Sequence, residues 1–326
     1  MILTMQDGVR LTYSVAEHYE GTRLDVFLAG CSGLSRTRIK NLIRDGNVVL
    51  NGSPGLKPSY PVERGDAVTL FVPPADAPGI EPEDIPLDVV YQDEHIIIVN
   101  KPAGMVVHPA RGHSRGTLAA ALLHRCAGLA GVGEPFKPGI VHRLDMNTSG
   151  LLAVALTEKS FAVLSRMVRD REVQRYYTAF VWGHPYPDSG TIDAPIGRHP
   201  KNRKLKAVAE GGRPSMTYYE TTARYEFITR LEVTLRTGRT HQIRVHLSSI
   251  GHHVFGDPDY GGREKRLKGF SHEVRLRAAV YLKRVTRQAL HASRLVLAHP
   301  VTGKQLVCEA PLPSDLAWLQ EQLDSE

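Results

Sequence analysis

Residues 139–156 read GIVHRLDMNTSGLLAVAL, and the change of character halfway along decides how the larger part of this 326-residue chain folds. LLAVAL is a continuous apolar run of strand length, the pattern of a strand buried on both faces. Just upstream, one carboxylate, Asp145, stands among His142, Arg143, Asn147, Thr148 and Ser149, ahead of Gly150. The glycine permits a backbone conformation or a close approach that a side chain would block. KPGIVHRLD reads as a strand running into the loop and LLAVALT as the strand leaving it. Asp145 is then held between two buried strands, which is how a reactive group is fixed in place. The plainer alternative is a turn with a solvated acid.

Two further segments carry side chains of the same kind. DVVYQDEHIIIVNKPAG, 88–104, supplies two short strands on the way to them. In REVQRYYTAFVWG, 171–183, a strand places Tyr177, Ala179 and Val181 on one face, with Tyr176, Thr178, Phe180 and Trp182 on the other. A strand tyrosine most often packs in the core with its hydroxyl satisfied. RLEVTLRTGRTHQIRVHLSSIG, 230–251, opens as an alternating strand and breaks at Thr-Gly-Arg. Thr240 is then placed to cap a short helix whose buried stripe is Ile243, Leu247 and Ile250. Arg244 lies beside that stripe, at the edge of any pocket. His241 and His246 are five apart, do not share a helix face, and have no cysteine or acid to complete a metal set. No phosphate-binding G-x-x-x-x-G-K-[ST] and no G-x-S-x-G elbow occurs, and GDPDYGG, 256–262, is rich in turn residues but is no nucleotide fingerprint.

The chain divides before these segments. Residues 73–88, PPADAPGIEPEDIPLD, hold five prolines and five acids, a composition that resists helix and strand alike. We read 73–86 as a linker between a small unit, 12–72, and a large one, 87–326. In the small unit SRTRIKNLIRDG is a helix with Ser35 as N-cap and Gly46 as its stop. Ile39, Leu42 and Ile43 form its apolar stripe, flanked by Arg36, Lys40 and Arg44. NVVLNG and GDAVTLFV are strands, the first closed by an Asn-Gly turn.

Composition narrows the class of partner. The chain is 42% hydrophobic and 23% charged, ordinary for a globular protein, with net charge +7. The basic charge is local: RTRIKNLIR, 36–44, and RHPKNRKLK, 198–206, contain no acid, while 309–326 hold five acids and no base. Such clustering is expected of a surface that tracks phosphates. No apolar run approaches the roughly 20 residues of a membrane helix, and the start lacks the pattern of a secretory signal. Cys31, Cys126 and Cys308 match no metal or redox spacing, so a reducing cytoplasmic home is expected.

The order RLDVFL…SRTRIKNLIRDGNVVLNG…KPSY…GD resembles the S4 RNA-binding domain over about 60 residues. The three segments of the large unit together resemble the RluA family of pseudouridine synthases. VNKPAGMVVHP, GDPDYGG and ALHASRLVLAHPVTG fit the same family, and the resemblance covers most of the chain. It implies an α+β protein: a small αβ S4-like domain linked to a larger, mostly antiparallel mixed sheet with flanking helices. It places the nucleophilic aspartate on Asp145, the motif of a basic residue and a tyrosine on Arg175 and Tyr177, and the arginine that pairs with the carboxylate on Arg244. RNA contacts are expected at Arg36, Arg38, Lys40, Arg44, His142, Arg143 and Arg239; a loop-holding role is equally open for His142 and Arg143.

The implied reaction breaks the bond from C1′ to N1 of a uridine, turns the base and joins C1′ to C5. It needs no redox change and no cofactor, and Asp145 serves either as nucleophile or as base in a glycal route. The target base must be flipped out of its stack, where Tyr177 can face it. The S4 unit and residues 261–295 look most like the RluD-type members, which modify a stem-loop of 23S rRNA. The expected partner is therefore large-subunit rRNA or a pre-ribosomal particle, bound by a monomer. Related members act on other rRNA sites or on tRNA, and a non-catalytic RNA-binding assembly factor is the alternative of another class. One departure is visible: members often carry Lys-Asp after the aspartate, where this chain has Met146-Asn147.

Overall fold

The computed structural model describes residues 9–54, 56–73, 80–110, 112–134, 136–202 and 204–326. The small unit contains β1 (Val9–Ser14), α1 (Leu24–Ser32), α2 (Arg36–Arg44), β2 (Val48–Leu50) and β3 (Ala67–Val72). Its sheet runs β1-β3-β2, all antiparallel. As the sequence indicates, Ser35 accepts a hydrogen bond from the Arg38 amide at 3.3 Å, and Ile39, Leu42 and Ile43 are buried. Together with Leu24, Phe27, Leu28, Val68 and Leu70 they form a core separate from that of the large unit. Asn51 and Gly52 both take positive φ in the tight turn after β2.

Six residues of the expected linker, 74–79, lie outside the described residues, as does Arg203 of the basic run. Where the chain is described again, Ile80 is buried in the large core. The large unit then follows as β4 (Asp88–Gln92), β5 (Ile96–Lys101), α3 (Leu118–Arg125), β6 (Gly133–Glu134), β7 (Lys137–Pro138), β8 (Ser149–Ala155) and α4 (Glu158–Arg169). Next come β9 (Gln174–Trp182), β10 (Ser189–Asp193), β11 (Ile196–Arg198), β12 (Lys206–Val208), β13 (Met216–Arg224) and β14 (Ile228–Leu235). The last elements are α5 (Gln242–Ser249), α6 (His272–Arg284), β15 (Leu290–Ala298), β16 (Gln305–Glu309) and α7 (Ser314–Asp324).

Nine strands form one sheet in the order β10-β13-β14-β9-β15-β8-β5-β4, with β16 added on β15. Every pairing is antiparallel except β15 with β8. The fold is thus a mixed, mostly antiparallel sheet with helices packed against it. No helix among the described residues is long and apolar enough to cross a membrane.

Register explains how distant segments meet. Lys101, Gly150, Ala292, Tyr177 and Val233 are paired successively across β5, β8, β15, β9 and β14. Gly150 is needed at its place in that row. Its φ is +115°, and a Cβ there would lie 2.3 Å from the Ala292 carbonyl oxygen. The two central strands approach this closely only because the residue has no side chain.

Two local expectations differ from the structure. KPGIVHRLD is not a full strand: only Lys137–Pro138 pair as β7, and Ile140 makes an isolated bridge to Val154. Thr240 does not cap α5, because His241 occupies that position with φ +58°. The Gln242 side chain ties the preceding turn to the helix start, accepting from the Arg239 amide at 3.0 Å and from the Thr237 hydroxyl at 2.8 Å. The expected stripe is also too narrow: residues 242–247 are all buried, whereas Ile250 is exposed.

Candidate active site

Burial alternates along the segment leading to Asp145. His142 and Leu144 turn into the core, while Arg143 and Asp145 line a cleft of about 690 Å³. His142 accepts a hydrogen bond from the Ala153 amide at 3.0 Å, stitching the loop to β8. Burial, and then the charge of Arg175, push its pKa down to about 3, so it is a neutral acceptor at physiological pH.

Beyond Asp145 the loop is gripped at four consecutive residues. The Met146 carbonyl accepts from the Gly104 amide at 2.9 Å and from Lys101 Nζ at 3.0 Å. The Asn147 carbonyl accepts from Arg287 at 3.0 Å. The Thr148 hydroxyl accepts from Gln288 at 3.2 Å, and the Ser149 hydroxyl bonds His291 Nδ1 at 3.0 Å. Lys101 is fully buried and also donates to the carbonyls of Pro102 and Met105. Its burial, with the nearby charge of Arg287, lowers its pKa from 10.5 to about 7, against the pull of Asp145.

Arg244, on α5, reaches Asp145 with Nη1 at 3.4 Å. That is its weakest contact. Nε and Nη2 form a two-pronged pair with Asp257 at 2.7 Å each, and Nη2 also meets Asp259 at 2.7 Å. The guanidinium lies 4.8 Å from the Tyr260 ring centroid. Burial alone would lower the arginine's pKa, but Asp257, Asp145 and Asp259 outweigh it and raise it. It is therefore a permanent cation with a fixed orientation.

Asp257, Asp259 and Tyr260 belong to GDPDYGG, which sequence reasoning treated as turn-rich without giving it a task. The turn is the task. The Asp257 carboxylate caps the amides of Asp259 and Tyr260, and Gly262 packs so tightly that a Cβ would lie 1.8 Å from the Val254 carbonyl oxygen.

Tyr177 and Arg175 project from the same face of β9 into the cleft and are 4% and 7% exposed. Burial raises the Tyr177 pKa, so its hydroxyl stays protonated at neutral pH. Asp145, Tyr177 and Arg244, named from separate segments, thus line one cleft.

The sequence profile described as RNA pseudouridylate synthase matches residues 95–249, and that of the S4 domain matches 22–68. A protein of Escherichia coli named ribosomal large subunit pseudouridine synthase D is 42% identical over 323 residues, 99% of this chain and 97% of its own length. One of the same name from Zymomonas mobilis is 43% identical, covering 95% of this chain and 96% of its own. An RNA pseudouridine synthase of Bacillus subtilis, itself uncharacterised, is 41% identical over 96% of this chain and 98% of its own. This chain belongs to the RNA pseudouridine synthase family.

The fold of this synthase is also that of human RNA pseudouridylate synthase domain containing 4, with a TM-score of 0.56 at 23% identity over 73% of this chain and 93% of that one. Its expected RNA-binding residues sit in different surroundings. Arg36 and Lys40 lie 2.9 and 3.7 Å from the buried carboxylate of Asp25, which also pairs with Arg23. Burial opposes ionisation of Asp25, but the hydrogen bonds from Arg23 and Arg36 outweigh it and lower its pKa. Arg38 leaves that stripe, with its Nε buried and its charge acting on Glu158 of α4. Arg44 is exposed. Arg239 stands between the synthase's main cleft and a second one of about 430 Å³, which among the described residues is also lined by Arg198, Lys206 and Arg213 and by no acid.

Proposed function

We propose that this synthase isomerises specific uridines of large-subunit rRNA to pseudouridine in the cytoplasm, with Asp145 as the reacting carboxylate. Residues 12–72 would hold RNA and 87–326 carry out the chemistry. The observation that carries the reading is an Asp145 carboxylate open to a cleft, on a loop tethered at four successive residues and beside a cation that cannot lose its charge. A flipped uridine entering there meets the Tyr177 ring, a flat face on which the base stacks. As nucleophile, Asp145 bonds C1′ as N1 leaves with the bonding pair, and is displaced when C5 joins C1′; as base in a glycal route, it takes the C2′ proton as N1 leaves and returns it when C5 joins C1′. In either route the base turns, the C5 proton leaves and N1 takes one up. Atoms and charge balance without an added reagent.

Arg143, Arg239 and the cations of the second cleft line a continuous path for backbone phosphates, which set position and not sequence. Arg44 adds a further phosphate contact on the small unit, where Arg36 and Lys40 share their charge with Asp25. Relatives named for the large ribosomal subunit across nearly the whole length support rRNA as the substrate.

The test is pseudouridine mapping of rRNA from a strain lacking this protein. Defined large-subunit uridines should lose the modification and regain it with the unaltered gene, but not with Asp145→Asn, although the substituted protein still binds RNA. If every rRNA pseudouridine persists in the deletion strain, the substrate assignment is wrong. Restoration by Asp145→Asn would show that Asp145 is not the reacting carboxylate.

A further inference from the structure

The cleft contains two buried arginines in opposite situations. Arg244 is saturated by three carboxylates. Arg175 is as deeply buried, at 7% exposed, yet its Nε has no hydrogen-bond partner, and no carboxylate pairs with it among the described residues. His142 cannot compensate it, being neutral and already engaged with the Ala153 amide. Leaving an unpaired charge in a protein wall is costly, several kcal/mol after relaxation. The surroundings nevertheless make room for this one. Gly238 lies against the guanidinium, and a Cβ there would sit 3.1 Å from Arg175 Nη1.

We infer that Arg175 is a substrate-binding residue whose guanidinium takes a carbonyl oxygen of the flipped uracil and stabilises the negative charge that develops there as the C1′–N1 bond breaks. The inference rests on the pseudouridine synthase reading and deepens it. Two observations favour the base over a backbone phosphate. Arg175 shares a strand face with Tyr177, two residues along, so both address the same volume of the cleft. It lies in the buried wall, whereas the rim carries the exposed cations Arg143, Arg171 and Arg236, to which phosphates have access. A guanidinium offers donors only, so it suits the O2 and O4 acceptors of uracil.

The electron count is simple. The bonding pair of C1′–N1 leaves with the base and spreads from N1 onto the carbonyl oxygens. The pair that then forms C5–C1′ comes from the base, the C5 proton is lost, and N1 is protonated. A donor aimed at such transient charge in a site screened from water acts mainly on the rate, and removal of one costs about 10²–10³-fold.

The experiment uses the full chain and total RNA from a strain lacking it, which contains any RNA substrate. Single-turnover pseudouridine formation at saturating protein is measured together with RNA affinity over a range of salt. Arg175→Met is expected to slow the saturated rate about 10²–10³-fold, with affinity and salt slope unchanged. Arg175→Lys should recover part of the rate, and millimolar guanidinium should partly rescue Arg175→Ala, which a merely structural role would not allow. Gly238→Ala should slow the rate by displacing Nη1. A saturated rate within threefold of the unaltered protein in Arg175→Met overturns the proposal. So does weaker binding with a flatter salt slope and a normal rate, the mark of a phosphate contact. If the unaltered protein modifies no RNA at all, the synthase reading fails as well, and the two failures are told apart by that control.

Discussion

Replacing Asp257 by Asn asks which acid fixes the active-site arginine. Arg244 makes two 2.7 Å bonds to Asp257, one of 2.7 Å to Asp259 and one of 3.4 Å to Asp145. The Asp257 side chain is fully buried, while that of Asp259 is 47% exposed. Asparagine keeps the shape but sets an amide NH₂ where one carboxylate oxygen accepted, so donor faces donor and the counter-charge is lost. Breaking a buried pair on one side costs about 3–5 kcal/mol. Two carboxylates remain near Arg244, which puts the expected loss at the low end, about 3 kcal/mol. Asp259→Asn, half in water, should cost less than about 1 kcal/mol. A guanidinium released from Asp257 also shifts relative to Asp145, and a misplacement near 1 Å costs about 10²-fold in rate. Urea unfolding gives the first quantity as a lower midpoint at unchanged slope, and single-turnover pseudouridine formation gives the second. If Asp257→Asn is no more costly than Asp259→Asn in either assay, Asp257 is not the anchor.

Two further outcomes are expected. Lys101 has its pKa lowered from 10.5 to about 7 in the folded chain. Between those values the unfolded chain holds a proton that the folded chain has released, so stability should rise with pH, by up to about 1.4 kcal/mol per unit. Lys101→Met should lack this component; parallel stability curves for the two proteins from pH 7 to 9 would show that the amine is not held low. In the small unit, Arg44→Ala should reduce the slope of log affinity against log salt by about 0.7–0.9. An unchanged slope would make Arg44 an ordinary solvated cation.

How far the sequence could be read depended on whether the deciding partner was local. The strand in LLAVAL, the capped helix 36–44 and the Asn-Gly turn follow from patterns within a few residues, and each forms, the strand beginning two residues early at Ser149. Asp145, Tyr177 and Arg244 were nameable because their segments carry recognisable motifs. What fixes Arg244 was not legible: Asp257 is thirteen residues away, and nothing in a turn-rich heptapeptide says that its carboxylate will face a helix. The basic run 36–44 looked uncompensated because no acid lies within it, yet Asp25, eleven residues before Arg36, enters from α1 and pairs with Arg36 and Lys40. KPGIVHRLD reads as a strand by composition, but a strand needs a neighbour. After Pro138 the only bridge this segment makes among the described residues is that of Ile140 to Val154.

The row Lys101–Gly150–Ala292–Tyr177–Val233 also explains why Met146-Asn147 can replace the more usual Lys-Asp. All the grips on those two positions fall on main-chain carbonyls: Lys101 and Gly104 on Met146, Arg287 on Asn147. The side-chain grips begin only at Thr148 and Ser149, both buried. Met146 is itself exposed at 38%. Changing the two side chains therefore leaves the tethers of the loop untouched. Asp145 is placed by the backbone on one side and by an arginine clamped elsewhere on the other. The side chains on which the loop's position rests are thus the donors Lys101, Arg287 and Gln288, which lie far from Asp145 in sequence and reach its loop across the sheet.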